Sequence, residues 1–147
     1  MIALLQRVTQ ASVTIEKNIV GEIAQGLLVF IGIEKGDSQA QADRLIERVL
    51  KYRIFSDTQD KMNLSVTDIT GGVLLVPQFT LAANTDKGNR PSFTSAAAPE
   101  DGKILFDYCV TQAKSKYSVI ATGQFGADMK VALVNDGPVT FWLQVTA

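Results

Sequence analysis

Hydrophobic and polar positions alternate along the first part of the chain with the period of a β-strand. The alternation runs through residues 4–15, breaks at Asn18 and resumes over residues 19–24. Residues 26–33, "GLLVFIGI", form a continuous apolar run instead, which predicts a central strand that is buried on both faces. Three strands in succession with short breaks predict an antiparallel meander.

Two later segments have the 3.6-residue spacing of amphipathic helices. The first begins at a capping box, in which Ser38 is followed three residues later by Gln41. The second begins at Pro99, which suits the first helical position, and carries Glu100 and Asp101 in its first turn. The apolar faces are predicted to be Leu45, Ile46, Val49 and Leu50 in the first helix, and Ile104, Leu105, Tyr108 and Cys109 in the second.

Strand-like patterns return after the first helix and again at the end of the chain. Residues 73–81 predict one strand, and residues 82–98 follow it without any periodicity. An irregular segment of that length inside a compact domain is often functional. Residues 129–135 and 139–145 predict two strands of a hairpin around an Asn-Asp-Gly turn. The alternative is that Gly137 and Pro138 form a rigid backbone device in a binding site.

These elements predict an α+β fold, with two main helices and a mostly antiparallel sheet that curls into a barrel-like layer. Residues 1–147 are expected to form a single domain, because the length is typical of one domain and there is no internal repeat or linker. The hydrophobic fraction of 46% is enough for a core. No apolar run approaches the roughly 18 residues of a membrane span. With no signal peptide visible, we expect a cytoplasmic protein.

The net charge, the absence of histidine and the single cysteine restrict the kinds of active site and binding site that this chain can form. A net charge of −1 argues against a protein that coats nucleic acid through bulk electrostatics, although a local basic patch can still hold one RNA end. The absence of histidine excludes Ser-His-Asp and Cys-His triads and any histidine-based metal site. The acidic residues are scattered through loops, so neither a metal nor another cofactor is expected. Cys109, the single cysteine, is expected to be a small buried hydrophobe rather than a nucleophile.

Three segments contain candidate catalytic or ligand-binding residues, and each of them also has an ordinary structural interpretation. Thr80 in "PQFTL" is a possible nucleophile, but it is also an ordinary β-branched strand residue with no base adjacent in sequence. Arg90 is either a phosphate ligand or a surface arginine. In residues 122–129, Gly123 and Gly126 bracket Phe125, which either lets a ligand approach the backbone or marks a plain bulged loop.

Four fragments of this chain belong together: "LLQRVTQASV" (4–13), "PQFTL" (77–81), "NRPSFTSAAAP" (89–99) and "TGQFGADMKVALVNDGPVT" (122–140). As a set, they resemble the D-aminoacyl-tRNA deacylases of the D-tyrosyl-tRNA deacylase type. The resemblance implies hydrolysis of the ester that joins a D-amino acid, or mischarged glycine, to the 3′ adenosine of tRNA, while L-aminoacyl-tRNA is left intact. It also implies a homodimer with its active site at the subunit interface.

The resemblance also assigns roles to residues. It implies that a cis Gly137–Pro138 peptide of one subunit enters the pocket of the other and crowds the side chain of an L-amino acid. Arg7 is implied to hold that segment in place. The catalytic residues are implied to be Gln78, Phe79 and Thr80, and the residues that support or bind the substrate are Arg7, Pro77, Phe125 and Met129.

One position departs from the family pattern, since Pro77 stands where the family usually has serine. Proline has neither a hydroxyl nor an amide donor, so the backbone N–H groups of Gln78, Phe79 and Thr80 are expected to stabilise the oxyanion. The 2′-hydroxyl of the tRNA is expected to assist the attack. The Thr80 hydroxyl as covalent nucleophile is the other hypothesis. A non-catalytic nucleic-acid-binding dimer and an inactive relative remain the alternative functions.

Overall fold

The computed structural model describes residues 1–146, which form a six-stranded sheet, a two-stranded sheet, two α-helices and one 3₁₀ turn. The elements, in chain order, are β1 (Ile2–Ile15), β2 (Asn18–Ile23), β3 (Gly26–Gly32), α1 (Gln39–Lys51), β4 (Phe55–Ser56), β5 (Met62–Leu64), β6 (Gly72–Pro77), the 3₁₀ turn (Phe79–Ala82), α2 (Pro99–Lys116), β7 (Ile120–Thr122) and β8 (Lys130–Gln144).

The long strand β1 organises the sheet. One of its edges pairs with β3 along residues 2–8 and with β2 along residues 11–15, and its other edge pairs with β8. The predicted meander is therefore wrong in its order, because β2 and β3 each pair with one half of β1 and not with each other. The lengths explain this arrangement, since β1 has 14 residues whereas β2 has six and β3 has seven.

The middle of the sheet departs from the antiparallel rule. Strand β3 pairs antiparallel with β1 but parallel with β6, and β6 in turn pairs parallel with β7. As predicted, β3 is central and nearly all of its side chains are buried. The predicted α+β class is confirmed: the sheet is mostly antiparallel and barrel-like, and β2 packs against β7 where the barrel nearly closes.

Both helices begin where the sequence predicts and cover one face of the sheet. The backbone N–H of Ser38 donates to Gln41 Oε1 at 2.7 Å, and Pro99 is the first residue of α2. Their apolar faces join the larger core cluster, in which Leu45 of α1 and Phe106 of α2 are buried against the strands. Exposed Ile104 is the exception to the predicted face of α2. The opposite face of the sheet encloses a second core: Val8, Ala11, Val13, Leu28, Leu74 and Val76.

The predicted hairpin at the end of the chain is wrong. Strand β8 continues from Lys130 to Gln144 and runs antiparallel to β1 along its whole length. Thr140 lies opposite Gln6 and Asn135 lies opposite Val8, so residues 136–139 bulge out where β1 has only Arg7. The Asn-Asp-Gly-Pro sequence therefore forms a large bulge within one strand rather than a turn between two.

Within residues 1–146, no helix is both long enough and apolar enough to cross a membrane.

Candidate active site

A pocket of about 450 Å³ opens beside the end of β6. Its walls come from β3, from the start of α2 and from the loop that joins β7 to β8. Most of the lining is apolar, which suits a site that must exclude water around an organic ligand. The side chains and backbone that line it are Ile31, Ile33, Val76, Pro77, Gln78, Phe79, Ala97, Pro99, Gly102, Phe125, Gly126, Ala127, Met129 and Val131.

The backbone of residues 77–80 forms one rim of this pocket. Pro77 ends β6 opposite Ile31 of β3, and the backbone N–H of Gln78 donates to the Ile31 oxygen at 2.8 Å. The expectation that the Gln78 N–H is available for catalysis is therefore wrong, because the sheet already uses it.

The next two N–H groups are different, because Phe79 and Thr80 are the first residues of the 3₁₀ turn. In such a turn the leading N–H groups have no acceptor within the turn itself. Within residues 1–146, neither the Phe79 N–H nor the Thr80 N–H has a hydrogen-bond acceptor, and both residues are exposed. Two adjacent free donors at a pocket rim can bind an oxyanion.

The Thr80 hydroxyl has a neighbour that cannot act as a base. Its Oγ1 accepts a hydrogen bond from Gln78 Nε2, and in residues 1–146 no carboxylate or amine is hydrogen-bonded to it. An amide N–H donor leaves the hydroxyl proton where it is, so the side chain is not activated as a nucleophile. Thr80 is also absent from the pocket lining, although Gln78 and Phe79 belong to it. No cluster of three or more metal-ligating side chains occurs in the part of the chain described.

Phe125 and Met129, for which the resemblance implied a substrate-binding role, line the pocket. Two glycines make room for them. A Cβ at Gly102 would lie 3.2 Å from Phe125 Cζ, and a Cβ at Gly123 would lie 2.8 Å from Met129 Sδ. Sequence reasoning did not select Gly102, and its only signal was a glycine near the start of an otherwise regular helix.

The second group of predicted site residues surrounds the bulge of β8. Arg7 Nε donates to the main-chain oxygen of Asp136 at 2.9 Å, and Arg7 Nη1 donates to the main-chain oxygen of Ile54 at 2.8 Å. The Gly137–Pro138 peptide bond is cis, as the resemblance implied. Gly137 has φ +145°, and a Cβ there would lie 2.5 Å from a methyl group of Val139 and 3.3 Å from Arg7 Nη2. Only glycine fits this position.

Asn135 closes the base of the same bulge, a role that sequence reasoning missed. Its Oδ1 accepts from the Val139 N–H at 2.7 Å, and its Nδ2 donates to the Val139 oxygen at 3.3 Å and to Thr140 Oγ1 at 3.1 Å. One amide side chain thus replaces the strand partner that residues 136–139 lack. Asparagine is common in such local bonds to backbone, which was the only signal available in the sequence.

The structure leaves the two groups of predicted residues apart within one chain. Pro77, Gln78, Phe79, Phe125 and Met129 line the pocket. Arg7, Gly137 and Pro138 do not line it, and both Gly137 and Pro138 are exposed.

Two further predicted residues lie outside the pocket. Arg90 is exposed on the long loop of residues 83–98, which has no helix or strand of its own. Cys109 is buried, and this burial raises the pKa of its thiol to about 12. It is therefore the inert core residue that the sequence predicted.

Comparisons with known proteins find similar sequences over nearly the whole chain. The family model of D-Tyr-tRNA(Tyr) deacylase matches residues 4–144. The D-aminoacyl-tRNA deacylase of Janthinobacterium sp. (strain Marseille) is 62% identical over 145 residues, covering 99% of this chain and 97% of the relative. That of Herminiimonas arsenicoxydans is 61% identical with the same coverage.

Two solved structures share the fold. A protein described as a c-Myc DNA unwinding element binding protein superposes with a TM-score of 0.95 at 37% identity, over 100% of both chains. A probable eukaryotic D-amino acid tRNA deacylase superposes with a TM-score of 0.85 over 98% of both chains, and its 15% identity supports the fold alone.

Proposed function

This chain belongs to the D-Tyr-tRNA(Tyr) deacylase family and is an ester hydrolase that acts on D-aminoacyl-tRNA, and we propose that its catalysis is carried out mainly by the backbone at the pocket rim. The observation that carries this proposal is the pair of free N–H groups at Phe79 and Thr80 beside an apolar pocket. The products are a free D-amino acid and tRNA. The proposed place of action is the cytoplasm, and no cofactor takes part.

The pocket binds the terminal adenosine and its aminoacyl group. The ester carbonyl oxygen points toward the Phe79 and Thr80 N–H groups, which stabilise the negative charge of the tetrahedral intermediate. Gln78 contributes through its side chain, because its N–H is already bonded to Ile31. Phe125 and Met129 hold the nucleoside from the other side of the pocket.

Among residues 1–146, no side chain that could act as a general base is hydrogen-bonded to Thr80 at this rim, so the substrate provides its own assistance. Water attacks the carbonyl carbon, and the neighbouring 2′-hydroxyl of the terminal ribose relays the proton. The bond between the carbonyl carbon and the 3′ oxygen then breaks, and the 3′ oxygen takes up the proton and leaves as the ribose hydroxyl. This assignment is supported by the absence of histidine and by the contact of Thr80 with an amide donor.

Chiral selection belongs to the bulge of β8. The carbonyl oxygens of Gly137 and Pro138 occupy the space that the side chain of an L-amino acid needs, whereas hydrogen or a D-configured centre is tolerated. Exclusion of this kind requires a rigid segment, and Arg7 and Asn135 anchor the bulge with hydrogen bonds on both sides. Glycine mischarged on tRNA is also cleaved, because it has no side chain to exclude.

A homodimer completes the active site. Gly137 and Pro138 are exposed and do not line the pocket of their own chain, so we place them in the pocket of a second subunit. The dimer is also supported by apolar side chains on β8 that lack cover in one chain, since Trp142 is 52% exposed and Val134 is 48% exposed. Exposed apolar surface of this kind commonly marks an interface.

The decisive test is a deacylation assay of the purified protein with D-Tyr-tRNA, L-Tyr-tRNA and Gly-tRNA. We expect hydrolysis of the first and third and protection of the second. A D-Tyr-tRNA whose terminal adenosine lacks the 2′-hydroxyl should be cleaved roughly 10²–10⁴-fold more slowly, which is the usual contribution of proton transfer. Equal rates with and without that hydroxyl would contradict the assisted mechanism.

One observation favours a second function, namely nucleic-acid binding without catalysis. The solved structure with 37% identity is described as a DNA unwinding element binding protein. A net charge of −1 opposes sequence-independent binding through many phosphate contacts. Tight tRNA binding without release of the D-amino acid, in the assay above, would support this alternative and would also match the inactive relative that Pro77 allows.

A further inference from the structure

Two aromatic side chains form an exposed pair at the rim of the pocket. The rings of Phe79 and Phe93 have centroids 5.1 Å apart and are tilted by 46°. The exposed fraction is 59% for Phe79 and 43% for Phe93. Phe79 lines the pocket and Phe93 does not, so the pair extends from the pocket outward.

Hydrogen bonds fix the loop that carries Phe93. The backbones of Asn84 and Ser92 bond to each other in both directions, at 2.7 and 2.9 Å. Ser95 Oγ donates to the Ala82 oxygen at 2.6 Å, which ties the loop to the 3₁₀ turn that presents Phe79. The aromatic pair is therefore held by its backbone, although its rings remain exposed.

The same loop carries cations with no local partner. Lys87 and Arg90 are exposed, and neither forms an ion pair within the part of the chain described, residues 1–146. Asp86 is the only carboxylate between Ala82 and Ala98, so this loop has an excess of positive charge on a protein whose net charge is −1. Exposed aromatic rings and unpaired cations on one surface segment are the combination with which proteins bind single-stranded nucleic acid.

We propose that the Phe79–Phe93 pair is a stacking platform for the base of the nucleotide that precedes the terminal adenosine, and that Arg90 and Lys87 attract the phosphates next to it. This inference rests on the proposed function. Phe79 lies at the rim of the pocket, so a strand whose terminal nucleoside occupies the pocket and which leaves on this side passes the aromatic pair. Stacking is tolerant of base identity because every base has a π-face, which suits a single-stranded 3′ end.

The test is a comparison of two D-Tyr-tRNAs, one intact and one abasic at the nucleotide before the terminal adenosine. For the wild-type protein we expect kcat/KM to be roughly 5- to 150-fold higher on the intact tRNA, which corresponds to the usual contribution of one stacked base. For Phe93→Leu the preference should vanish, and on the abasic tRNA the two proteins should have the same kcat/KM. Phe93→Tyr keeps an aromatic face and should restore the preference.

Three results would overturn the platform. The first is a wild-type protein that does not distinguish the two tRNAs. The second is a Phe93→Leu variant that loses the same factor on both, because the ring would then support Phe79 or a protein interface rather than a base. The third is a Phe93→Leu variant that keeps the full preference. Absence of hydrolysis on either tRNA by the wild-type protein would instead remove the proposed function, and the platform with it.

The charge part of the inference has a separate measurement. Each phosphate contact to a single strand contributes about 0.7 to the slope of log affinity against log salt concentration. Arg90→Gln should therefore reduce the magnitude of that slope by about 0.7 for deacylated tRNA, which carries no amino acid. Lys103→Gln should leave the slope unchanged. Lys103 is a matched control because it is exposed on α2 and already paired with Asp107 at 2.7 Å. Equal slopes for Arg90→Gln and the wild-type protein would exclude a phosphate contact at Arg90.

Discussion

Arg7 and Asp136 are 129 positions apart in the chain, yet Arg7 Nε donates to the Asp136 main-chain oxygen at 2.9 Å. Arg7 occupies the single position of β1 that faces the four-residue bulge of β8. Its Nη1 bonds to the Ile54 oxygen, so one guanidinium joins the bulge to the segment after α1. The proposed chiral exclusion requires a rigid bulge, and this connection helps to hold the bulged residues, which have no partner in β1 apart from the position of Arg7.

Arg7→Lys should destabilise the protein and weaken the rejection of L-aminoacyl-tRNA. Arg7 is only 13% exposed on its side chain, and a single ammonium cannot reach two carbonyls in the directions of the guanidinium fork. We expect a loss of about 1–3 kcal/mol in the free energy of unfolding, measured by urea denaturation. Arg48→Lys is the matched control, because Arg48 makes one long bond of 3.4 Å at the surface. Unchanged selectivity in Arg7→Lys would show that Arg7 does not hold Gly137 and Pro138 in the position that excludes L-aminoacyl groups.

Asn135→Ala should lower the ratio of the hydrolysis rates of D- and L-Tyr-tRNA, and not only the free energy of unfolding. The substitution removes three hydrogen bonds that close the bulge and leaves the Val139 N–H without an acceptor. Asn135→Asp keeps the oxygen that accepts from Val139 and should recover part of the ratio. Asn18→Ala, which removes a 3.3 Å bond at an exposed turn, is the control. Parallel losses in stability and in both rates would assign Asn135 a purely structural role.

Thr80→Val should keep most of the single-turnover rate on D-Tyr-tRNA. The variant preserves the backbone N–H and the β-branched shape, and it removes only the hydroxyl that contacts Gln78. A covalent mechanism predicts a different outcome, namely a loss of several hundredfold, or about 3–4 kcal/mol in the activation barrier. Circular dichroism of the variant is needed beside the kinetics, so that a folding defect is not mistaken for lost chemistry.

Gly102→Ala should separate stability from activity. Alanine in a helix is favoured over glycine by roughly 0.5–1 kcal/mol, but its Cβ would lie 3.2 Å from Phe125 Cζ. Phe125 is only partly buried and can shift to make room for the new methyl group. We therefore expect the free energy of unfolding to stay the same or rise, whereas KM increases. Ser115→Ala, on the same helix and absent from the pocket lining, should raise stability without changing KM. An unchanged KM in Gly102→Ala would mean that the Phe125 wall does not contact substrate.

Cys109 should be unreactive in the folded protein and should make stability fall at high pH. Burial raises the pKa of its thiol from 9.0 to about 12, so the folded state holds the proton when the unfolded state has lost it. Stability therefore falls as the pH rises above about 9, until the folded thiol also ionises near 12. A thiol reagent at pH 8 should label the protein only in denaturant. Cys109→Ala should remove this part of the pH dependence, and rapid labelling of the native protein would contradict the burial.

Local patterns in the sequence were sufficient for the elements whose signals are local. Both helices begin at residues that the capping box and Pro99 indicated, because a cap is decided within four residues. The central position of β3 followed from its continuous apolar run, and the inert Cys109 followed from its place on an apolar helical face. The two segments that supply many of the pocket residues, 77–81 and 122–129, stood out in the sequence, and the family motifs assigned roles to their residues.

The tertiary structure decided which strands meet, and with that it decided the site. The Asn-Asp-Gly sequence has the local signal of a hairpin turn, yet the chain continues as β8 because β1 offers one uninterrupted edge of 14 residues. The same pairing places Arg7 opposite the bulge. Likewise, the parallel contact of β3 with β6 occupies the Gln78 N–H, whereas those of Phe79 and Thr80, at the start of the 3₁₀ turn, have no acceptor within residues 1–146. Hydrogen bonds between distant strands depend on register, and register is a property of the whole sheet that no single segment contains.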